Sequence, residues 1–316
     1  MSGTVAGRRV LVTGASGFVG RHIVNSLSDS GFDILAQVNK TPLDPSHAEK
    51  CEVVRGDICE PEIRRSAVRG VDVVCHSAAY IPEDMADPGN ARKCHRINAL
   101  ATLSLVREAA EAGVGRFVFL STGNMYELAS DPARETDPFN PDLMSTAYFA
   151  SKLAAEQYVE QIGIETGVDA LVLRVTTPYG PGEPSAKVIP AFLKRAAGGE
   201  PLRVLGGGRQ QLNFVYVEDV ADCVANAVGS GESGTYNVCS GEGTDLLSLA
   251  RTVSEICSAD VSSIEVETQK ETVARRAGFQ PVSIEKARQT WGFNPITLTD
   301  GLRRYRSYLS EQEVAV

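Results

Sequence analysis

Short apolar runs recur through the first half of the chain, separated by stretches in which apolar residues return every three or four positions. Short continuous runs read as strands buried on both faces, and the periodic stretches as amphipathic helices. Strands are predicted at Arg8 to Thr13, Asp33 to Val38, Glu52 to Arg55, Val71 to Cys75, Arg116 to Leu120 and Val168 to Arg174. Helices are predicted at Gly17 to Ser30, Pro61 to Arg69, Ala91 to Ala112 and Ser145 to Thr166, bounded by Gly, Pro or Asp. This alternation predicts an α/β protein with a doubly wound parallel sheet, the Rossmann fold. After Pro178-Tyr179-Gly180-Pro181-Gly182 the elements shorten: a helix near Lys187 to Ala197, strands near Asn213 to Val217 and Thr235 to Val238, and helices near Glu218 to Val228 and Asp245 to Cys257. Residues 1–177 are therefore expected to form a dinucleotide-binding domain. Residues 178–316 mainly form a smaller α/β substrate-binding lobe, with 213–228 able to pack back on the first domain and one cleft between the two.

The first strand-to-helix crossing carries the strongest chemical signal. Val10 to Gly20 reads VLVTGASGFVG, placing Gly14, Gly17 and Gly20 where a pyrophosphate would meet the N–H groups of a helix N-terminus. Glycines at 14 and 17 let backbone and phosphate approach, and Gly20 falls on the face that packs on the sheet. Val19, Ile23, Val24 and Leu27 supply the buried stripe of that helix.

Composition narrows the partners. The 316 residues include 31 basic and 40 acidic side chains, a net charge of −9, with no basic stripe, which argues against nucleic acid. No apolar stretch is long enough for a membrane span and no targeting segment precedes the first strand, so a cytoplasmic location is expected. Seven scattered cysteines without C-x-x-C spacing predict reduced thiols and no metal site.

Tyr148 and Lys152 stand four apart on a predicted helix and so share a face. A cation beside a phenol favours phenolate, which suits proton transfer to or from a hydroxyl. Taken in order with the glycine turn, these residues resemble the extended short-chain dehydrogenase/reductase superfamily, the NAD(P)-dependent epimerase/dehydratase family. The resemblance runs through Thr13 to Gly20, Gly56-Asp57-Ile58, His76-Ser77-Ala78-Ala79, Asn98, Ser121-Thr122, Tyr148 to Lys152, and Arg174 through Gly182. It implies Tyr148 as acid/base, Lys152 as the group that holds the nicotinamide ribose and lowers the phenol pKa, and Thr122 as the hydroxyl on the substrate oxygen. It further implies that Phe18 and Val19 approach the pyrophosphate, that Asp57 and Ile58 border the adenine, and that Ala78, Ala79 and Asn98 line or fix the cofactor site. His76, without a neighbouring Asp or Cys at triad or metal spacing, reads as structural.

Several positions depart from that family pattern. NAD calls for an acid at the end of the second strand, but the chain reads Gln37-Val38-Asn39-Lys40, and Lys40 could offset a 2′-phosphate, so NAD and NADP both stand. Family dehydratases carry an acidic pair after the catalytic Thr where this chain has Gly123 and Asn124, which disfavours dehydration. The nucleotide-holding positions of sugar-nucleotide members are here Thr177, Leu212 and Arg276-Ala277-Gly278-Phe279, with Arg209 and Arg275 or Arg276 as substitutes for lost charge. The leading expectation is an NAD(P)-dependent epimerase or oxidoreductase acting on a secondary alcohol or ketone of a sugar-like or nucleotide-sugar small molecule. The alternatives are an NADPH-dependent ketoreductase of a non-nucleotide hydroxy-ketone and a non-catalytic dinucleotide sensor. The resemblance also suggests a homodimer through the long helices, with Leu100, Leu103 and Ala154 as candidate contacts.

Overall fold

A computed structural model describes residues 7–314 except 128, 130, 145, 268–278 and 280. Strands β1 (Arg9–Thr13), β2 (Asp33–Val38), β3 (Glu52–Arg55), β4 (Val73–His76), β5 (Arg116–Thr122) and β6 (Asp169–Val175) are joined by right-sized helical crossovers. They form a seven-stranded sheet with Gly234–Val238, in the order β3-β2-β1-β4-β5-β6 and then Gly234–Val238, every pair parallel. The doubly wound class read from the periodicity is the observed one.

Successive strand residues feed opposite faces, as a period of two requires. Val10, Val12, Ile34, Ala36, Val118 and Leu120 join one core with helix α1 (Phe18–Asp29). Leu11, Leu35, Val74, Phe117 and Phe119 join the other with the helices Ala101–Glu111 and Ala147–Thr166. On α1, Gly20, Ile23, Val24 and Leu27 are buried, whereas Val19 is only half-buried at the turn.

Two elements differ from the sequence expectation. Thr235–Val238, read as part of the smaller lobe, completes the main sheet beside β6, and the helix Val217–Gly229 before it buries its apolar face in the α1 core. The long helix expected over Ala91 to Ala112 is broken into Ala91–Cys94, a π-helical turn His95–Leu100, and Ala101–Glu111. Such turns commonly mark functional sites. Here Thr102 Oγ1 donates to Asn98 O at 2.7 Å, and the Asn98 side chain is drawn out to the backbone of Tyr80. A third core, built from Tyr179, Phe192, Phe214, Tyr216, Leu249 and Leu302 among others, makes up the smaller lobe. Of the candidate dimer residues, Leu103 packs against the second core, Ala154 is half-buried and Leu100 is 43% exposed.

A buried ion pair locks the helix Ala147–Thr166 to β6. Arg174 gives Nη2 to Glu156 Oε2 at 2.8 Å and Nη1 to Tyr126 Oη and Glu135 O, both at 2.8 Å, while Tyr126 Oη donates to Asn237 Oδ1 at 2.6 Å. Burial alone would lower the Arg174 pKa, and Glu156 more than reverses this. Removing one partner of a fully buried pair leaves an uncompensated charge, so Glu156→Ala is expected to cost about 3–5 kcal/mol. Urea unfolding of the variant beside the parent measures this; a loss under about 1 kcal/mol would contradict it.

Candidate active site

The turn after β1 is shaped by what cannot fit there. Gly14 has φ +66°, and a Cβ on it would sit 2.8 Å from Ala78 Cα, while a Cβ on Gly20 would collide with the Gly14 carbonyl. Gln37 clamps the turn from β2: its Oε1 accepts from Gly14 N at 3.1 Å, and its Nε2 donates to Gly56 O at 2.7 Å. The turn opens onto a cavity of about 740 Å³ whose walls include Gly14, Gly17, Lys40, Asp57, Ile58, Ala78 and Ala79. A side-chain-free turn at the start of a helix, facing a cavity of ligand size, fits a dinucleotide. Phe18, Val19 and Gly20 form the first turn of α1 behind that wall.

A hydrogen-bond chain runs beneath the cavity floor. Ala78 N donates to Thr13 Oγ1 at 3.2 Å, and Thr13 Oγ1 pairs with His76 Nδ1 at 2.6 Å. His76 Nε2 pairs with Thr102 Oγ1 at 2.9 Å, whose proton is given to Asn98 O. Because Thr102 uses its proton there, it accepts from His76, which assigns the ring proton to Nε2 and leaves Nδ1 to accept from Thr13. His76 is fully buried and stacks on Phe119, and burial, with the Lys152 charge adding, pushes its pKa down to about 3. It is a structural residue.

The candidate proton-transfer groups gather at the C-terminal end of β5. Lys152 is 3% exposed, and its Nζ donates to Leu120 O at 2.6 Å and lies 4.2 Å from the Phe119 ring centre. Burial, partly opposed by Glu156, brings its pKa down to about 7. Tyr148 stands one helical turn earlier. Its phenol is raised above the ordinary value by burial, with the Cys94 thiol adding, so the lowering expected from Lys152 is not what this geometry produces. Thr122 is buried, and its Oγ1 accepts from Asn124 N at 3.3 Å. Asn124 Nδ2 donates to Thr177 Oγ1 at 3.1 Å, which unites two of the candidate substrate residues. Asn124 Oδ1, Ser121 Oγ and Thr176 Oγ1 are buried without a hydrogen-bond partner among the described residues.

Asn98 proves to be a brace. Its side chain bonds Tyr80 N and O at 2.7 and 2.9 Å and donates to Ser151 Oγ at 3.0 Å, and Ser151 Oγ donates to Tyr148 O. Gln37 and Ser151 were not singled out from the sequence; only the absence of a carboxylate at 37 drew attention to that position. Arg209 lies exposed on the smaller lobe, Leu212 pairs with Thr244 there, and Arg276 lies outside the described residues.

A family model described as the NAD dependent epimerase/dehydratase family matches residues 10–239. The chain belongs to that family. It is 29% identical over 282 residues to dTDP-D-glucose 4,6-dehydratase of Mus musculus, covering 85% of this chain and 78% of the relative. It is 30% identical over 261 residues to dTDP-4-dehydro-6-deoxy-D-allose reductase of a Streptomyces species, covering 78% and 80%. Among solved structures it resembles Thermus thermophilus UDP-glucose 4-epimerase in complex with NAD, at a TM-score of 0.83 and 27% identity over 96% of this chain and 99% of that one.

His76 generates a pH prediction. A group neutral in the fold but protonated below about pH 6.5 when unfolded contributes stability above that pH, which is lost as pH falls towards 3. The His76 contribution should fall by about 1.4 kcal/mol per pH unit over that window. Urea unfolding of His76→Gln should therefore fall less steeply between pH 6.5 and 4 than that of the parent; parallel curves would contradict it.

Proposed function

We propose that the chain interconverts a secondary alcohol and a ketone on a sugar-like small molecule, as an NAD(P)-dependent epimerase or oxidoreductase. The reading is carried by one observation: Tyr148 and Lys152 lie one turn apart on a helix that Lys152 ties to Leu120 O, two residues before Thr122. A bound nicotinamide supplies hydride acceptance or donation. The chain's own task is the proton and the oxygen that carries it.

Tyr148 keeps its proton at neutral pH and can give it to a developing alkoxide. Thr122 Oγ1 already accepts from Asn124 N, which leaves its O–H to donate to the same substrate oxygen. Lys152, Leu120 and the Asn98 brace hold the helix that carries Tyr148.

Elimination of water needs an acid and a base of its own beside the catalytic Thr. Neither Gly123 nor Asn124 transfers protons, and a Cβ on Gly123 would sit 2.9 Å from Thr176 Cγ2 and 3.0 Å from Arg174 O. We infer that this chain departs here from the relatives named as dehydratases. The alternative of a ketoreductase for a substrate without a nucleotide is favoured by Phe279. That ring packs with Phe149, 6.3 Å between centres, in the cluster that includes Tyr148, at the position where the family resemblance would have a carboxylate.

Tyr148→Phe should lower turnover about 10²- to 10⁴-fold while leaving dinucleotide affinity unchanged. A panel of nucleotide sugars, free sugars and hydroxy-ketones, followed by cofactor absorbance and product analysis, measures this. Full turnover in the variant would remove Tyr148 from the chemistry.

A further inference from the structure

The end of the cavity away from the glycine turn has a charge pattern that the family's NAD-binding role does not need. With the pyrophosphate at Gly14 and Gly17, the adenosine ribose falls beside the end of β2, where an acid would bond the two hydroxyls of NAD. Among the described residues no carboxylate there is free to do so. Val38 is fully buried, and both halves of the Gln37 amide are spent on Gly14 N and Gly56 O. The one carboxylate in the wall, Asp57, has one oxygen on Cys59 N at 2.9 Å and the other on Arg96 Nη2 at 3.1 Å.

Against that single paired acid, the same wall carries Lys40, Arg92, Lys93 and Arg96. Lys93 lies 3.7 Å over the Tyr80 ring, whereas Lys40 and Arg92 make no ion pair or hydrogen bond among the described residues. Arg96 is held by Asp57 and lies 3.8 Å from Glu60 Oε1, which leaves Lys40 and Arg92 as cations of this wall without a counter-charge among the described residues. A phosphate ester there would gain charge-assisted hydrogen bonds, while a bare 2′-hydroxyl would find no free carboxylate to accept from it.

We propose that this wall is a 2′-phosphate site, with Lys40 as its principal ligand and Arg92 as a second cation, and that the protein selects NADP(H) over NAD(H). The inference rests on the dinucleotide reading above and adds the choice between the two cofactors. Lys40 is exposed and unpaired, so its replacement leaves the core and the glycine turn untouched.

Calorimetric titration of the full chain with NADP⁺ and NAD⁺, and with adenosine 2′,5′-bisphosphate and 5′-AMP, tests it. NADP⁺ should bind at least about tenfold more tightly than NAD⁺, and the bisphosphate more tightly than 5′-AMP. Lys40→Ala should remove about tenfold of that preference while holding NAD⁺ affinity within about twofold, and Arg92→Ala should act in the same direction. Equal affinities, a preference for NAD⁺, or a Lys40→Ala variant that weakens both nucleotides alike would overturn the 2′-phosphate site and leave the proposed chemistry standing. Binding of neither dinucleotide would overturn both.

Discussion

A lysine ammonium removed almost entirely from water governs the geometry of this site. Lys152 has one strong oxygen partner, Leu120 O, and the face of Phe119. Glu156, one turn further along, adds a favourable field but spends its own oxygens on Arg174. Two cores and a buried ion pair press its helix onto the sheet, and the resulting burial is what draws the ammonium's pKa down. Once that helix is fixed, Tyr148 lies one turn back along it and Thr122 two residues beyond the strand carbonyl that Lys152 grips.

The glycine turn is held by comparable economy. A strand-end Gln takes the turn amide of Gly14 and the carbonyl of Gly56, so the loops after β1 and β3 are tied together from β2 without an acid. Under the turn, a neutral histidine passes hydrogen bonds from the backbone of Ala78 to that of Asn98, and Asn98 braces Tyr80 and Ser151. The cavity wall at Ala78 and Tyr80 is thus linked to the helix that carries Tyr148 through a chain of side-chain hydrogen bonds.

Much of this was legible in the sequence because its signals are local. The strands announce themselves as apolar runs, the phosphate turn as glycines between a strand and a helix, and the Tyr148–Lys152 pair as a four-residue spacing. The placement of Gly234–Val238 was not, since its neighbour β6 lies some sixty positions earlier and a short strand has the same periodicity in either lobe. The π-turn at His95–Leu100 was hidden because the partner of its Asn98 side chain, the backbone of Tyr80, lies on another segment of the chain. The cationic wall gathers Lys40 with residues 92–96 from a helix on another segment, and net acidity of the whole chain masked it.

The state of Lys152 is the most direct test of this account. In protein labelled with [ε-¹³C]lysine, the Lys152 signal, assigned by its loss in Lys152→Met, can be followed against pH without nucleotide. A midpoint near 7 is expected, displaced downward by burial. A midpoint at the ordinary lysine value of about 10.4 would mean that the ammonium is solvated, and that the packing of its helix on β5 is not as described.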